Sequence, residues 1–225
     1  MSWAWEHTLL VTLLASGIAG ACAYAVARHT NKTHGERVLS LWLVPPEPVR
    51  TQLRSMMQAI VASEGTPMFE PHVTIIGNVG GMSDVAILRK LKQLQGTGKI
   101  SVHFDTPVVS GRNLGEPAPW NQAVVAVVQE SDALRILQEK AKSVFFGGTP
   151  TVAWAPPIAK PHLSLAYVES TLADDRSAKV CAAMKTPADF EAAELVVAQV
   201  SVHGEADVWP ACLRNEWVEV ARVKL

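Results

Sequence analysis

The sequence predicts an α+β domain behind an apolar N-terminal segment. Three observations carry this expectation. From Arg37 onward, segments with helical spacing of apolar residues alternate with short β-branched runs. Several of those runs follow one another without a helix between them, which requires antiparallel or mixed pairing. The chain of 225 residues is 48% hydrophobic and 18% charged, enough for one domain with a real core or for two small lobes.

Residues 1–36 read as a membrane anchor and a short linker. The run "TLLVTLLASGIAGACAYAVA" (8–27) has no charged residue. A helix of about 20 residues spans ~30 Å, the thickness of a bilayer core. Trp3 and Trp5 stand ahead of it, where interfacial aromatics belong, and Arg28, Lys32 and Arg37 follow it, against only Glu6 upstream. The expectation is a single-pass membrane protein with residues 37–225 in the cytosol. The alternative is a cleaved signal peptide into the secretory pathway. "AYAVA" offers a cleavage site, but "MSWAWEHT" lacks the usual basic start. "RHTNKTHGE" (28–36) is the linker.

The domain follows element by element. "RVLSLWLV" (37–44) is a strand stopped by Pro45 and Pro46. Val49, Leu53, Met56, Met57, Ile60 and Val61 recur at helical spacing within 47–64, and Gly65 closes that helix. "PHVTIIG" (71–77) is a short strand. Ser83 caps a helix reaching Gln95, with Gly96 behind it. Strands follow near 99–104 and 121–128. Ser131 to Phe146 is a helix ended by Gly147 and Gly148. The Pro-rich "TPTVAWAPPIAK" (149–160) leads into the strand "PHLSLAYV". A helix over 171–185 and strands over 193–203 and 216–224 end the chain.

Charge and cysteines exclude several classes. There are 20 basic against 21 acidic residues, a net charge of −1. No stable nucleic-acid partner is expected, although a small anion needs only a few local donors. Cys22, Cys181 and Cys212 form no C-x-x-C pair, so a thiolate metal site is not expected, and Cys181 and Cys212 read as buried thiols. "GNVGG" (77–81) lacks the Gly-Lys-Ser/Thr ending of a phosphate loop.

Two pentapeptides stand apart from this background. Pro71-His72-Val73-Thr74-Ile75 and Pro161-His162-Leu163-Ser164-Leu165 share one pattern of Pro, His, aliphatic, hydroxyl, aliphatic. In a strand, residues i and i+2 share a face. Each strand therefore presents an imidazole beside a hydroxyl, with aliphatic residues packing behind. Hydrolysis of a cyclic phosphodiester needs such a set. One imidazole takes a proton from water and the other gives one to the leaving oxygen, while the hydroxyls donate to the phosphate oxygens. No metal or cofactor is needed for that proton work. His103 and His203 lack a hydroxyl two residues on and read as structural; Lys160 reads as a solvated strand-end residue or a phosphate guide.

With these motifs the sequence resembles the 2H phosphoesterase superfamily, and within it the cyclic phosphodiesterase branch known from plants and yeast. "SLWLVP", "FEPHVTIIG", "KPHLSLAYVES" and "WVEVARVKL" resemble its opening, motif and closing strands. The likeness spans about residues 37–225. It implies a bilobal fold, with two antiparallel or mixed sheets flanked by helices and one motif from each lobe facing a central cleft. It implies a metal-independent cyclic phosphodiesterase acting on nucleoside 2′,3′-cyclic phosphates or ADP-ribose 1″,2″-cyclic phosphate. His72 and His162 are then catalytic, and Thr74 and Ser164 bind substrate. Trp42 and Tyr167 would line the cleft, or pack in the core. Strict alternation turns Tyr167 away from His162, so a bulge or the strand end must rotate it. An RNA-end-processing enzyme of the same fold and a non-catalytic, membrane-tethered nucleotide-binding module are the alternatives. The insertion "SGRNLGEPAPW" (110–120) departs from the branch and reads as a hairpin connection or a loop over the cleft.

Overall fold

The computed structural model describes residues 37–77, 79, 82–105, 108, 122–147, 161–167, 173–202 and 208–225. Along them run β1 (Val38–Val44), α1 (Val49–Glu64), β2 (Val73–Ile76), α2 (Asp84–Lys92), β3 (Ile100–Val102), β4 (Gln122–Val127) and α3 (Asp132–Phe146). Then come β5 (His162–Tyr167), α4 (Ala173–Ala183), β6 (Phe190–Ala192), β7 (Glu194–Ser201), α5 (Val208–Leu213) and β8 (Val218–Lys224). Arg37–Leu225 form one compact unit. The expected span 8–27, the insertion 110–120, the loop 149–160 with Lys160, and His203 lie outside the described residues. Among the described residues, no helix is long and apolar enough to cross a membrane.

The helices begin and end where local chemistry dictates. Ser83 caps α2 by accepting from the Ala86 amide at 3.4 Å, and Ser131 caps α3 by accepting from the Leu134 amide at 3.2 Å. Helices α1 and α3 stop at Gly65 and Gly147, whose φ values of 67° and 70° are left-handed. Predicted helix 83–95 closes earlier, at Lys92, and continues as turns. The predicted strand 193–203 is β7, and the short β6 just ahead of it, which was not predicted, joins the other sheet. Helix α5 was not legible in the sequence. It is a single short turn-and-a-half with Pro210 near its start, and so carries no apolar period.

Six strands form one sheet in the order β4-β5-β2-β1-β7-β8, and β3 pairs with β6 in a second. Every described pairing is antiparallel. The α+β class and two antiparallel sheets are as expected, but the two motifs do not come from separate sheets. Their strands, β2 and β5, are neighbours in the large sheet, with Val73 opposite Leu163.

Alternation gives that sheet two unlike faces. Leu39, Leu41, Leu43, Val73, Leu163, Leu165, Leu195 and Val197 point into the main core. There they meet Leu53 and Met57 of α1, Ile87 and Leu91 of α2, and Leu134 and Leu137 of α3. Each such leucine contributes roughly 1.5–3 kcal/mol by leaving water. On the opposite face Val38, Trp42, Val44, Val196, Ala198 and Val200 form a second cluster with Val208 of α5. The motif imidazoles and hydroxyls belong to this second face.

Candidate active site

One register pair fixes the geometry of the motifs. With Val73 opposite Leu163, antiparallel pairing carried one residue each way sets His72 opposite Ser164 and Thr74 opposite His162. The four groups thus occupy the corners of a quadrilateral, with the imidazoles on one diagonal and the hydroxyls on the other. Diagonal neighbours on adjacent strands lie about 7–8 Å apart at the backbone. A phosphorus above the centre would be within reach of all four. His72, His162 and Ser164 are buried, and Thr74 is half-buried. Behind them Val73 and Leu163, both fully buried, hold the strands to the core.

His72 is held from several sides. Its Nδ1 lies 2.6 Å from the Glu70 carbonyl oxygen. A carbonyl can only accept, so Nδ1 carries the proton and Nε2 keeps a lone pair. The Trp42 ring stacks on the imidazole at 3.8 Å and 14°. Phe69 and Trp217 meet it edge-on at 6.1 and 6.3 Å. Burial by these rings pushes the His72 pKa down to about 4, against the Glu70 bond, which favours the charged form. The charge of His162 lowers it further, so the two imidazoles share one electrostatic environment. His72 is neutral at pH 7.

Trp42 and Tyr167 both reach this aromatic group. The Tyr167 ring lies 4.6 Å from Phe69 and 5.7 Å from Trp217. The β4–β5 register shifts twice around Val124, yet Leu165 and Tyr167, two residues apart, both pack into the main core as alternation requires. Tyr167 meets the site's aromatic group through Phe69 and Trp217. Both residues are almost fully buried, at 5% and 6% exposure. Trp42 belongs to the cluster on the second face and Tyr167 to the main core.

Sequence reading missed Phe69, Trp217 and the Glu70 carbonyl. Phe69 and Glu70 stand directly before the first motif and Trp217 opens the closing strand, so each sits in a segment already singled out. A backbone carbonyl and a ring from a distant strand leave no pattern of their own. His103 lies on the second sheet's edge, with Nδ1 2.8 Å from the Asp189 carboxylate, and is half exposed. Asp189 also accepts from the Phe104 amide, which makes this pair a structural clasp. Cys181 and Cys212 are free thiols, and burial pushes Cys212 up to about 12.

Two adjacent antiparallel strands, each carrying a His and a hydroxyl on one face, are the arrangement to set against known families. Residues 38–213 match the family described as cyclic phosphodiesterase-like protein, and the chain belongs to that family of 2H phosphoesterases. No curated protein sequence matches it. Among solved structures, TT0787 of Thermus thermophilus shares 15% identity at a TM-score of 0.52, over 84% of this chain and 97% of that one. That likeness is one of fold. LigT of E. coli complexed with NADP+ shares 14% identity at 0.49, over 84% and 98%. Usb1 of Kluyveromyces marxianus shares 10% at 0.44, over 83% and 98%.

Proposed function

We propose that this domain hydrolyses cyclic phosphodiesters, nucleoside 2′,3′-cyclic phosphates or ADP-ribose 1″,2″-cyclic phosphate, to monoesters without a metal. The observation that supports this reading is the register of β2 and β5, which puts two imidazoles and two hydroxyls around one point. His72 is the general base. Its Nδ1 is occupied by Glu70, and its Nε2 lone pair is free of a proton at neutral pH. Water gives a proton to Nε2 as its oxygen bonds to phosphorus. The bond from phosphorus to the leaving ribose oxygen breaks, and His162 supplies the proton which that oxygen takes up. Thr74 and Ser164 donate to the nonbridging oxygens as charge moves onto them. A bound phosphodiester anion favours the charged imidazole, so substrate brings the His72 pKa back toward neutrality as the proton arrives.

The test is turnover of 2′,3′-cyclic AMP by the full chain in detergent with excess EDTA. Monophosphate product is the expected outcome. Turnover confined to oligonucleotide ends would identify an RNA-processing enzyme instead, and binding without turnover a nucleotide-binding module. We read residues 8–27 as a tether that holds this domain at the cytosolic side of a membrane. Sedimentation with membranes, with release by detergent and not by high salt, is what that tether predicts.

A further inference from the structure

We propose that Trp42 is a positioning residue, which fixes the plane in which His72 works, and not a surface for the nucleobase of the substrate. The inference rests on the acid–base reading above, because it concerns the aim of the base.

Three features of Trp42 carry it. Its ring is already used: one face lies against the imidazole at 3.8 Å and 14°, and only 5% of the residue is exposed. Its one polar atom is already used as well, since the indole Nε1–H donates to the Ser40 hydroxyl oxygen at 2.9 Å. Ser40 in turn donates to the Ile76 carbonyl at 3.3 Å, at the far end of the strand that His72 leads into. Ser40, Trp42 and β2 thus form a closed brace across two adjacent strands.

The brace answers a definite need. An imidazole in a strand turns about a broad sp³–sp² torsion, with no staggered well to hold it. The Glu70 carbonyl fixes one ring atom. A point alone leaves the ring free to tilt about it. The indole fixes the plane, and a point with a plane fixes the direction of Nε2. Phe69 and Trp217 close the remaining edges at 6.1 and 6.3 Å. Among the described residues, His162 on β5 acts on His72 by its charge, and Tyr167 on the same strand meets the flanking Phe69 and Trp217 rings. The Glu70 carboxylate is turned away to Arg54 at 2.6 Å. Trp217, half-buried and 6.0 Å from Trp42, keeps an exposed part that Trp42 has lost.

The experiment compares the full chain in detergent with Trp42→Leu, Trp42→Phe and Ser40→Ala. It reads kcat and KM on 2′,3′-cyclic AMP, and the His72 ring titration by NMR, assigned with His72→Gln. For Trp42→Leu we expect kcat to fall roughly 10- to 100-fold, the scale of a small misplacement of a reacting group. KM should change little, and the His72 titration should move up toward its ordinary range as water enters. Trp42→Phe should recover most of kcat, and Ser40→Ala should lie between. A raised KM with kcat and titration unchanged would make Trp42 a nucleobase surface and overturn the proposal. So would unchanged kcat and titration. If Trp42→Leu does not fold, Trp42→Phe and Ser40→Ala decide by the same two readouts. A wild-type chain without turnover defeats the acid–base reading, while the NMR titration still tells whether Trp42 sets the ring.

Discussion

The two motif strands carry one pattern and lie side by side, yet their surroundings differ. Strand β2 is four residues long and sits between β1 and β5, so His72 has β1 on its flank and with it the Trp42 ring. Strand β5 sits between β2 and β4, and His162 registers with Val127, an aliphatic residue. One histidine is enclosed by aromatic rings with its Nδ1 given to a carbonyl. The other is set beside a valine on the outer side. Matching pentapeptides thus gain different neighbouring strands, and a strand's neighbours decide what stands beside each side chain.

The comparison can be broken at the histidines, where the largest effects are expected. His72→Ala and His162→Ala should each lower kcat/KM by about 10²–10⁴-fold, the scale of one general acid or base. If the roles differ as proposed, the two variants remove opposite limbs of the pH–rate profile. Loss of the same limb by both, or near-wild-type rates in either, would make the two sites equivalent or idle.

A smaller effect concerns His72 alone. Its pKa is depressed in the folded chain, from an ordinary 6.5 to about 4. The unfolded chain therefore binds more protons between those values, and stability drops as the pH is lowered through that window. The contribution is complete above about pH 6.5 and gone near pH 4. At about 1.4 kcal/mol per pKa unit it is worth roughly 3 kcal/mol. Urea unfolding of wild type and His72→Gln from about pH 4 to pH 7 should show a steeper acid loss in the wild type. Parallel curves would mean that His72 titrates normally and is not enclosed as described.

The smallest effects belong to the hydroxyls. Thr74→Ala and Ser164→Ala should each cost roughly 1.5–3 kcal/mol of transition-state stabilisation, the value of a hydrogen bond to a charged group. That is about 10- to 100-fold in kcat/KM, with the pH limbs in place. A shifted limb in either variant would show that the hydroxyl acts on its neighbouring imidazole and not on the substrate.

How much was legible varied with the length scale of the cause. That Ser131 caps and does not open the helix came from the structure. The cap at Ser83, the start at Ser131 and the stops at Gly65 and Gly147 are local, and all four positions were read from the sequence. So were both motif strands, since proline, alternation and flanking aliphatics act over five residues. The three-residue β6 ahead of 193–203 was not legible, because so short a strand is defined by its distant partner β3. Helix α5 was missed for want of a period. Among the site residues, His72, Thr74, His162 and Ser164 announced themselves by repetition. Phe69 and Trp217 did not, because a ring that packs on an imidazole needs no particular spacing from it.

The sequence by itself determined two imidazole-and-hydroxyl strands with aliphatic backs. Side-chain direction in a strand alternates by covalent geometry, so five residues suffice to state it. Only the tertiary structure decided that β2 and β5 are neighbours, that Val73 meets Leu163, and that Trp42 lies on His72. Strand order is chosen by the burial of a whole sheet against its helices, a sum over the entire chain that no local pattern contains.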